Sequence, residues 1–358
     1  MSDPAMSDSA MSDTAPSETA PETVLAAEHV TRLFDVSRPW LQRKLSGEPT
    51  QTLRAVDDVS FTIAKGTTLS LVGESGCGKS TVARLAVGLY APSAGQMLFE
   101  GQPLSAARAQ PALRRRMNMI FQDPYASLNP RWRVRDIVAE PLRAFKILTS
   151  RRDVADRVGQ LLEQVGLAAR DGEKFPHEFS GGQRQRISIA RALSSEPDFL
   201  VADEPTSALD VSVQAQILNL MRDLQQRMRL TYLFISHNLA VVRHVSDQLG
   251  VMYLGRIVEY GPGESIFAAP RHPYTRLLLD AIPDLAKSDP AHAGRPRTAI
   301  GGEVPSPIDP PGGCTFHPRC PFAFVRCQFE RPDYTQDGDV LVACHAIEER
   351  RLEPRQAA

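Results

Sequence analysis

Leu69-Ser70-Leu71-Val72-Gly73-Glu74-Ser75-Gly76-Cys77-Gly78-Lys79-Ser80-Thr81 joins an apolar run to the pattern G-x-x-x-x-G-K-[ST], and Ser80 to Leu89 behind it reads as a helix. A strand, a glycine-rich loop and a helix are the context that a phosphate cradle needs. The glycines let backbone N–H groups turn inward, and the start of the helix adds its positive end. Gly73, Glu74, Ser75, Gly76, Cys77, Gly78, Lys79, Ser80 and Thr81 are therefore the candidate phosphate-binding residues. Lys79 would reach the β- and γ-phosphates, and Ser80 would give its hydroxyl to magnesium. Cys77 reads as a small loop residue rather than a regulatory thiol. A glycine-rich turn matching by chance would lack the strand before it and the helix after it.

Beyond Val72, helical stretches (Val134 to Phe145, Val154 to Val165, Gly182 to Leu193, Val213 to Met228) alternate with strand-like runs (Met117 to Phe121, Phe199 to Ala202, Tyr232 to Ser236, Leu249 to Tyr253). That alternation predicts an α/β fold. Upstream, Val30 to Phe34 and Val56 to Ile63 add strands, separated by a surface insertion at Val36 to Thr52. Asp198-Phe199-Leu200-Val201-Ala202-Asp203-Glu204 is a buried-type strand ending in two carboxylates, and strand ends are where α/β sheets place ligands. Asp203 would hold magnesium, and Glu204 would polarise the attacking water as general base. Such an ending is common by itself; downstream of a phosphate cradle it supplies the second half of a phosphoryl-transfer site.

Ser180-Gly181-Gly182-Gln183-Arg184 places an N-cap serine and a glycine pair at a helix start, which makes a second anion site. With this stretch in place, residues 24 to 265 resemble the nucleotide-binding subunit of an ABC transporter. The resemblance implies a P-loop ABC-type nucleotide-binding domain over 24–266, with a RecA-like core, a β-subdomain and a helical subdomain at about 123–196, binding ATP and magnesium. It further implies that Ser180, Gly181, Gly182 and Gln183 meet the γ-phosphate held by an opposite subunit, either a paralogous ATPase or a second copy of this chain. Gln122 matches the Q-loop glutamine, which touches magnesium or water, and Ser207-Ala208-Leu209-Asp210 matches the D-loop that crosses the dimer interface. His237, after Tyr232 to Ser236, matches the switch histidine on the γ-phosphate. Phe34, closing the first strand, is the candidate for stacking on adenine; a core phenylalanine is the alternative.

Phe121-Gln122-Asp123-Pro124-Tyr125-Ala126-Ser127-Leu128-Asn129-Pro130 is similar to the segment after the Q-loop in peptide and nickel importer ATPases. The tail, with His272-Pro273-Tyr274-Thr275 and Gly313-Cys314-Thr315-Phe316-His317-Pro318-Arg319-Cys320-Pro321, is similar to the dipeptide/oligopeptide importer group. That likeness implies an ATPase subunit on the cytoplasmic face of the inner membrane, driving uptake of di- or oligopeptides with two transmembrane permease subunits and an external substrate-binding protein. Nickel or another small solute is the alternative within the group. Outside it stands a soluble, non-transport ABC ATPase, which would show tandem halves, a coiled-coil insertion or a basic surface. With 41 Lys+Arg against 42 Asp+Glu the formal charge is -1, so no bulk basic field argues for nucleic acid. No apolar run approaches the roughly 18 residues of a membrane-spanning helix, and the N-terminus lacks the features of an export signal. Residues 1–23, with Met-Ser-Asp at Met1, Met6 and Met11, read as a disordered acidic tail.

From residue 267 to 358 the composition shifts to Pro, Arg, His and Cys, which predicts a Cys-containing C-terminal extension. Cys314, Cys320, Cys327 and Cys344 follow C-x5-C-x6-C-x16-C in a chain expected to meet no oxidising compartment. Four thiolates could hold an iron–sulfur cluster or zinc, or they could be free thiols. The wide loops suit the larger group, and the resemblance to peptide-importer tails implies a four-iron four-sulfur cluster in a structural role. His317 and His345 would be substitute ligands.

Overall fold

The computed structural model describes residues 22–46, 49–107, 110–281 and 302–353. The acidic tail expected at the N-terminus lies outside these residues as far as residue 21. A four-stranded antiparallel sheet contains β1 (Thr23–Asp35), β2 (Thr52–Ala64), β4 (Ala94–Phe99) and β5 (Gln102–Pro103) in the order β2-β1-β4-β5. An eight-stranded sheet contains β3 (Thr68–Val72), β6 (Met117–Ile120), β7 (Phe199–Asp203), β8 (Thr231–Ile235), β9 (Gln248–Tyr253), β10 (Arg256–Pro262), β11 (Thr335–Asp337) and β12 (Val340–Val342). Its order is β11-β12-β10-β9-β3-β8-β7-β6. The stretch from β9 to β6 is parallel, and β10, β12 and β11 extend it antiparallel.

β3, β7 and β8 are buried at every residue, as expected of parallel strands covered on both faces. Their register sets Leu71 beside Ile235 and Asp203 beside Ile235, so the segments after Val72, Asp203 and Ile235 leave the sheet along one edge. The helix Lys79–Ala86 packs on β7 and β8 behind that edge. The helices Val134–Ala144, Arg151–Gln164 and Gly181–Leu193 pack on one another through Val138, Leu142, Val158, Leu161 and Ile187. This apolar cluster runs on without a break to Phe234, Tyr253, Tyr274 and Phe316.

The C-terminal region shares this core. The hairpin β11–β12 pairs through Glu259↔Val342 and Tyr260↔Leu341 with β10, so residues near the C-terminus complete the edge of the central sheet. Phe316 is 1% exposed and meets Tyr253, Tyr274 and His272 at ring-centroid distances of 5.1, 5.4 and 5.6 Å. Burying one such ring contributes roughly 1.5–3 kcal/mol. The His-Pro-Tyr-Thr stretch is a buried helix start: His272 Nδ1 accepts from Tyr274 N at 3.1 Å and Pro273 opens the helix Pro273–Asp280. Burial pushes the His272 pKa down to about 3, so the ring is neutral and its Nδ1 is an acceptor.

Glu259, fully buried on β10, takes the N–H of Arg271 at 2.8 Å and of His272 at 3.0 Å on its two carboxylate oxygens. Burial raises its pKa against these bonds. Glu259→Ala should leave both donors buried without an acceptor, at about 1–3 kcal/mol each. We expect its urea unfolding midpoint to correspond to a loss of about 2–6 kcal/mol; stability equal to that of the parent chain would contradict this role.

Candidate functional site

Three glycines of the loop take left-handed dihedrals, with φ of 151° at Gly73, 80° at Gly76 and 108° at Gly78. A Cβ on Gly73 would collide with Met252 O, and one on Gly78 with Ala55 O. Gly76 faces open space, so its requirement is dihedral alone. Lys79 is buried and bends back over this loop, donating from Nζ to Gly73 O at 2.8 Å and Glu74 O at 2.9 Å. Its partners are two carbonyls and the Cys77 Sγ, at 3.6 Å, rather than a carboxylate. Cys77 is buried and burial raises its thiol pKa, as for a packing residue rather than a reactive one. Ser75 and Gly76 are exposed at the tip, and Thr81 N returns to Gly78 O at 3.0 Å to begin the helix.

Ser80 Oγ donates to Asp203 Oδ1 at 3.0 Å, which joins the loop to the end of β7. Burial pushes the Asp203 carboxyl up; the Ser80 bond opposes this and the neighbouring Glu204 adds to it. A hydroxyl and two adjacent carboxylates beside a lysine-bearing glycine loop fit a magnesium–triphosphate: the donors are oxygens, as that cation prefers. Glu204 takes φ 46° just past the strand, and its N–H is held by Ile235 O at 2.9 Å. This kink aims its carboxylate at Gln122 Nε2, 3.0 Å away, and His237 Nδ1, 3.1 Å away. The ends of β6, β7 and β8 thus bring Gln122, Glu204 and His237 to one point.

The other sequence candidates are placed differently. Ser180 and Gln183 form a capping box: Ser180 Oγ accepts from Gln183 N at 3.4 Å and Gln183 Oε1 accepts from Ser180 N at 3.0 Å. A Cβ on Gly182 would collide with Val213, and one on Gly181 would stand 3.3 Å from Leu209 Cδ2, so these glycines have a packing reason besides close approach to a ligand. Among the described residues, no hydrogen bond ties Ser180, Gly181, Gly182 or Gln183 to the phosphate loop of the same chain. Asp210 caps the helix Val211–Met228, accepting from Val213 N at 3.0 Å and from Ser212 Oγ at 2.7 Å. Those two bonds, Ser212 first, lower its pKa. Phe34 pairs across the sheet with Leu53, two residues before Ala55, whose carbonyl abuts Gly78. It also packs edge-on to Tyr90 at 5.5 Å and lies under the Arg32 guanidinium at 4.5 Å, so one flank of the ring is already engaged.

Sequence reasoning missed contacts made by distant residues. Tyr125, after the Q-loop, lies 3.8 Å from the Arg184 guanidinium and links that segment to the helix behind Ser180. Tyr274 and Arg319 both reach Glu74 in the phosphate loop.

Cys314, Cys320, Cys327 and Cys344 belong to the C-terminal region and are free thiols. Cys327 and Cys344 are buried, and Cys314 N donates to Cys327 O at 2.9 Å. Burial, together with the charges of the neighbouring cysteines, pushes Cys314 up to about 11 and Cys320 to about 12. Among the described residues, however, no group of three or more His, Cys, Asp or Glu side chains stands as a metal-holding set. His345 is not a spare ligand: its Nδ1 pairs with Glu348 at 3.1 Å and its Nε2 with Glu330 O at 3.0 Å. His317 Nδ1 is likewise taken, by Cys314 O at 2.9 Å.

Comparison with known proteins gives two family matches, "ABC transporter" over residues 56–207 and "Oligopeptide/dipeptide transporter, C-terminal region" over 258–327. The chain is 49% identical over 330 residues to the di/tripeptide transport ATP-binding protein DppF of Pseudomonas aeruginosa, covering 92% of this chain and 99% of that one. It is 47% identical over 328 residues to the oligopeptide transport ATP-binding protein AppF of Bacillus subtilis, covering 90% and 97%. Among solved structures, cbiO1 of Clostridium perfringens, part of the ABC transporter complex cbiONQ, aligns with a TM-score of 0.57 at 26% identity, covering 69% of this chain and 91% of that one. MJ0796, a bacterial ABC transporter cassette, shares the fold with a TM-score of 0.58 at 24% identity, covering 66% and 98%.

The collision between a Gly78 side chain and Ala55 O makes a direct test of the cradle. Gly78→Ala must move either the loop or β2, so we expect at least a tenfold loss of affinity for a fluorescent ATP analogue, about 1.4 kcal/mol, with the rest of the chain folded by circular dichroism. Unchanged affinity would show that this backbone shape is not needed.

Proposed function

We propose, since this chain belongs to the family of ABC transporter ATP-binding subunits, that it hydrolyses ATP in a dimer and couples that cycle to uptake of di- and oligopeptides. The observation that carries the catalytic part is the meeting of Gln122, Glu204 and His237 beside Ser80 and Asp203 at one edge of the sheet. Lys79 and the loop from Gly73 to Ser80 bind the phosphates, while the N–H groups of Glu74 and Cys77 are engaged within the chain, by Tyr274 Oη and Glu74 O. Ser80 and Asp203, with Gln122, would hold a magnesium ion, which would supply charge neutralisation for the phosphates. Glu204 takes the proton of the attacking water. A carboxylate offers about four acceptor sites, so its bonds to Gln122 and His237 leave room for that water and orient the group. His237 is the γ-phosphate sensor, and Phe34 is the adenine platform.

Ser180, Gly181, Gly182, Gln183 and Asp210 serve the opposite site. The family resemblance is the reason to place them across a dimer interface, with a paralogous subunit or a second copy, and among the described residues they make no bond to the phosphate loop of their own chain. The C-terminal match over 258–327 and the names of the relatives support peptide cargo. Among the described residues no helix is long and apolar enough to cross a membrane, so the transmembrane path falls to two permease subunits, with an external binding protein delivering cargo. The chain would then sit at the cytoplasmic face of the inner membrane. For Cys314, Cys320, Cys327 and Cys344 the proposed occupant, an iron–sulfur cluster or zinc, rests on the resemblance to peptide-importer tails alone, since no metal-holding set stands among the described residues. No step of hydrolysis passes through that cluster.

Glu204→Gln should retain ATP and slow its hydrolysis by roughly a hundred- to ten-thousand-fold, accumulating an ATP-bound dimer on size exclusion; parental turnover would refute the role. Dilution should lower the specific ATPase activity of the isolated chain, whereas activity independent of concentration would refute the shared site. Anaerobic purification followed by iron, sulfide and zinc assays checks the cluster. Bound metal lost in Cys320→Ser supports it, and a metal-free, folded, active chain removes it.

A further inference from the structure

Glu74, the second residue of the phosphate loop, is gripped from three sides. Its N–H donates to Tyr274 Oη at 2.9 Å, and its carbonyl accepts from Lys79 Nζ at 2.9 Å. Its carboxylate takes both prongs of the Arg319 guanidinium, Nη1 at 2.7 Å and Nη2 at 2.9 Å. The Arg319 side chain is only 4% exposed and that of Glu74 23%, so the pair is poorly screened by solvent. The guanidinium is backed by Tyr253, whose hydroxyl lies 3.4 Å from Nη1, and it lies against the rings of Tyr253 and Phe316. Tyr253 in turn meets Tyr274 at 4.8 Å. Arg319 stands on the single turn His317–Arg319, directly before Cys320, and Tyr274 on the helix Pro273–Asp280.

Two of these three grips come from the C-terminal region, and neither belongs to the loop–helix unit that makes the cradle. A carboxylate in a loop that receives a triphosphate is a liability, because unpaired it repels the incoming charge across a short, weakly screened distance. A bidentate guanidinium removes that charge and fixes the plane of the carboxylate at the same time. We infer that Arg319, assisted by Tyr274, is a positioning residue of the ATP site: it neutralises Glu74 and holds the phosphate loop in its receiving shape. This rests on the reading of that loop as the ATP site.

The test uses the full chain with Arg319→Met, Glu74→Gln and the double variant, read by the KM and kcat for ATP, by affinity for a fluorescent ATP analogue, and by Tm. Arg319→Met should raise KM at least about tenfold while kcat changes less than about threefold. Adding Glu74→Gln should bring KM back to within about threefold of the parent, because the repelling charge is then gone; that non-additivity is what a coupled pair gives. A residue that merely fastened the C-terminal region would lower Tm with KM unchanged, and this outcome overturns the inference. So does a double variant as weak as the two single effects multiplied. If Arg319→Met does not fold, Arg319→Lys is judged the same way: KM raised about threefold supports the inference and unchanged KM overturns it. Lys79→Ala separates the two readings. Should it leave affinity intact, the loop assignment fails; should it abolish binding while the Arg319 variants bind normally, only the present inference fails.

Discussion

Met252 O and Ala55 O occupy the places where side chains of Gly73 and Gly78 would have to go. One carbonyl belongs to β9 of the large sheet and the other to β2 of the small sheet, so the phosphate loop is wedged where the two sheets meet. Further bonds tighten the wedge: Gly255 N to Cys77 O at 2.9 Å, and Asp57 N to Gly255 O at 2.8 Å. Only glycine can follow this path. The sheets, the turn between β9 and β10 and the helix Lys79–Ala86 therefore share one geometric condition, and the proposed nucleotide site is its product.

The chain is an ABC-family ATPase, and the chemistry depends on how strand ends are aligned. Parallel pairing of β6, β7 and β8 delivers Gln122, Glu204 and His237 to a common point, although they are far apart in sequence. Glu204 reaches it through a left-handed kink that a non-glycine residue adopts only at a cost of order 1–3 kcal/mol. The hydrogen bond from its N–H to Ile235 O holds that kink in place. Position is thus paid for in backbone strain at the proposed general base.

Local signals were legible in the sequence. β3 and the loop after it lie in one contiguous stretch, and β7 is a short apolar run with its carboxylate at the end. β1 was half legible: His29, at φ 50°, forms a bulge between Ala27 and Val30, which breaks the alternation and hides residues 23–29 from a period-two reading. The helix from Arg151 begins earlier than its apolar pattern because Ser150 caps it ahead of two exposed arginines. Arg319 was not legible at all. It lies 245 residues from Glu74, and nothing in either local pattern announces the contact. The same holds for β11 and β12, each of three residues, which become strands only because β10 offers an edge.

That late edge has a consequence for biosynthesis. β10 leaves the ribosome well before β12, so through the interval of translation from Glu259 to Val342 the nascent sheet presents an unpaired edge, and until Arg319 emerges within it Glu74 waits for its guanidinium. An open, apolar strand edge is a template for wrong pairing. A messenger cut short within this interval would yield a protein whose catalytic motifs are all present and whose sheet is nonetheless unfinished, and quality-control proteases could distinguish it from the full-length product by that edge alone.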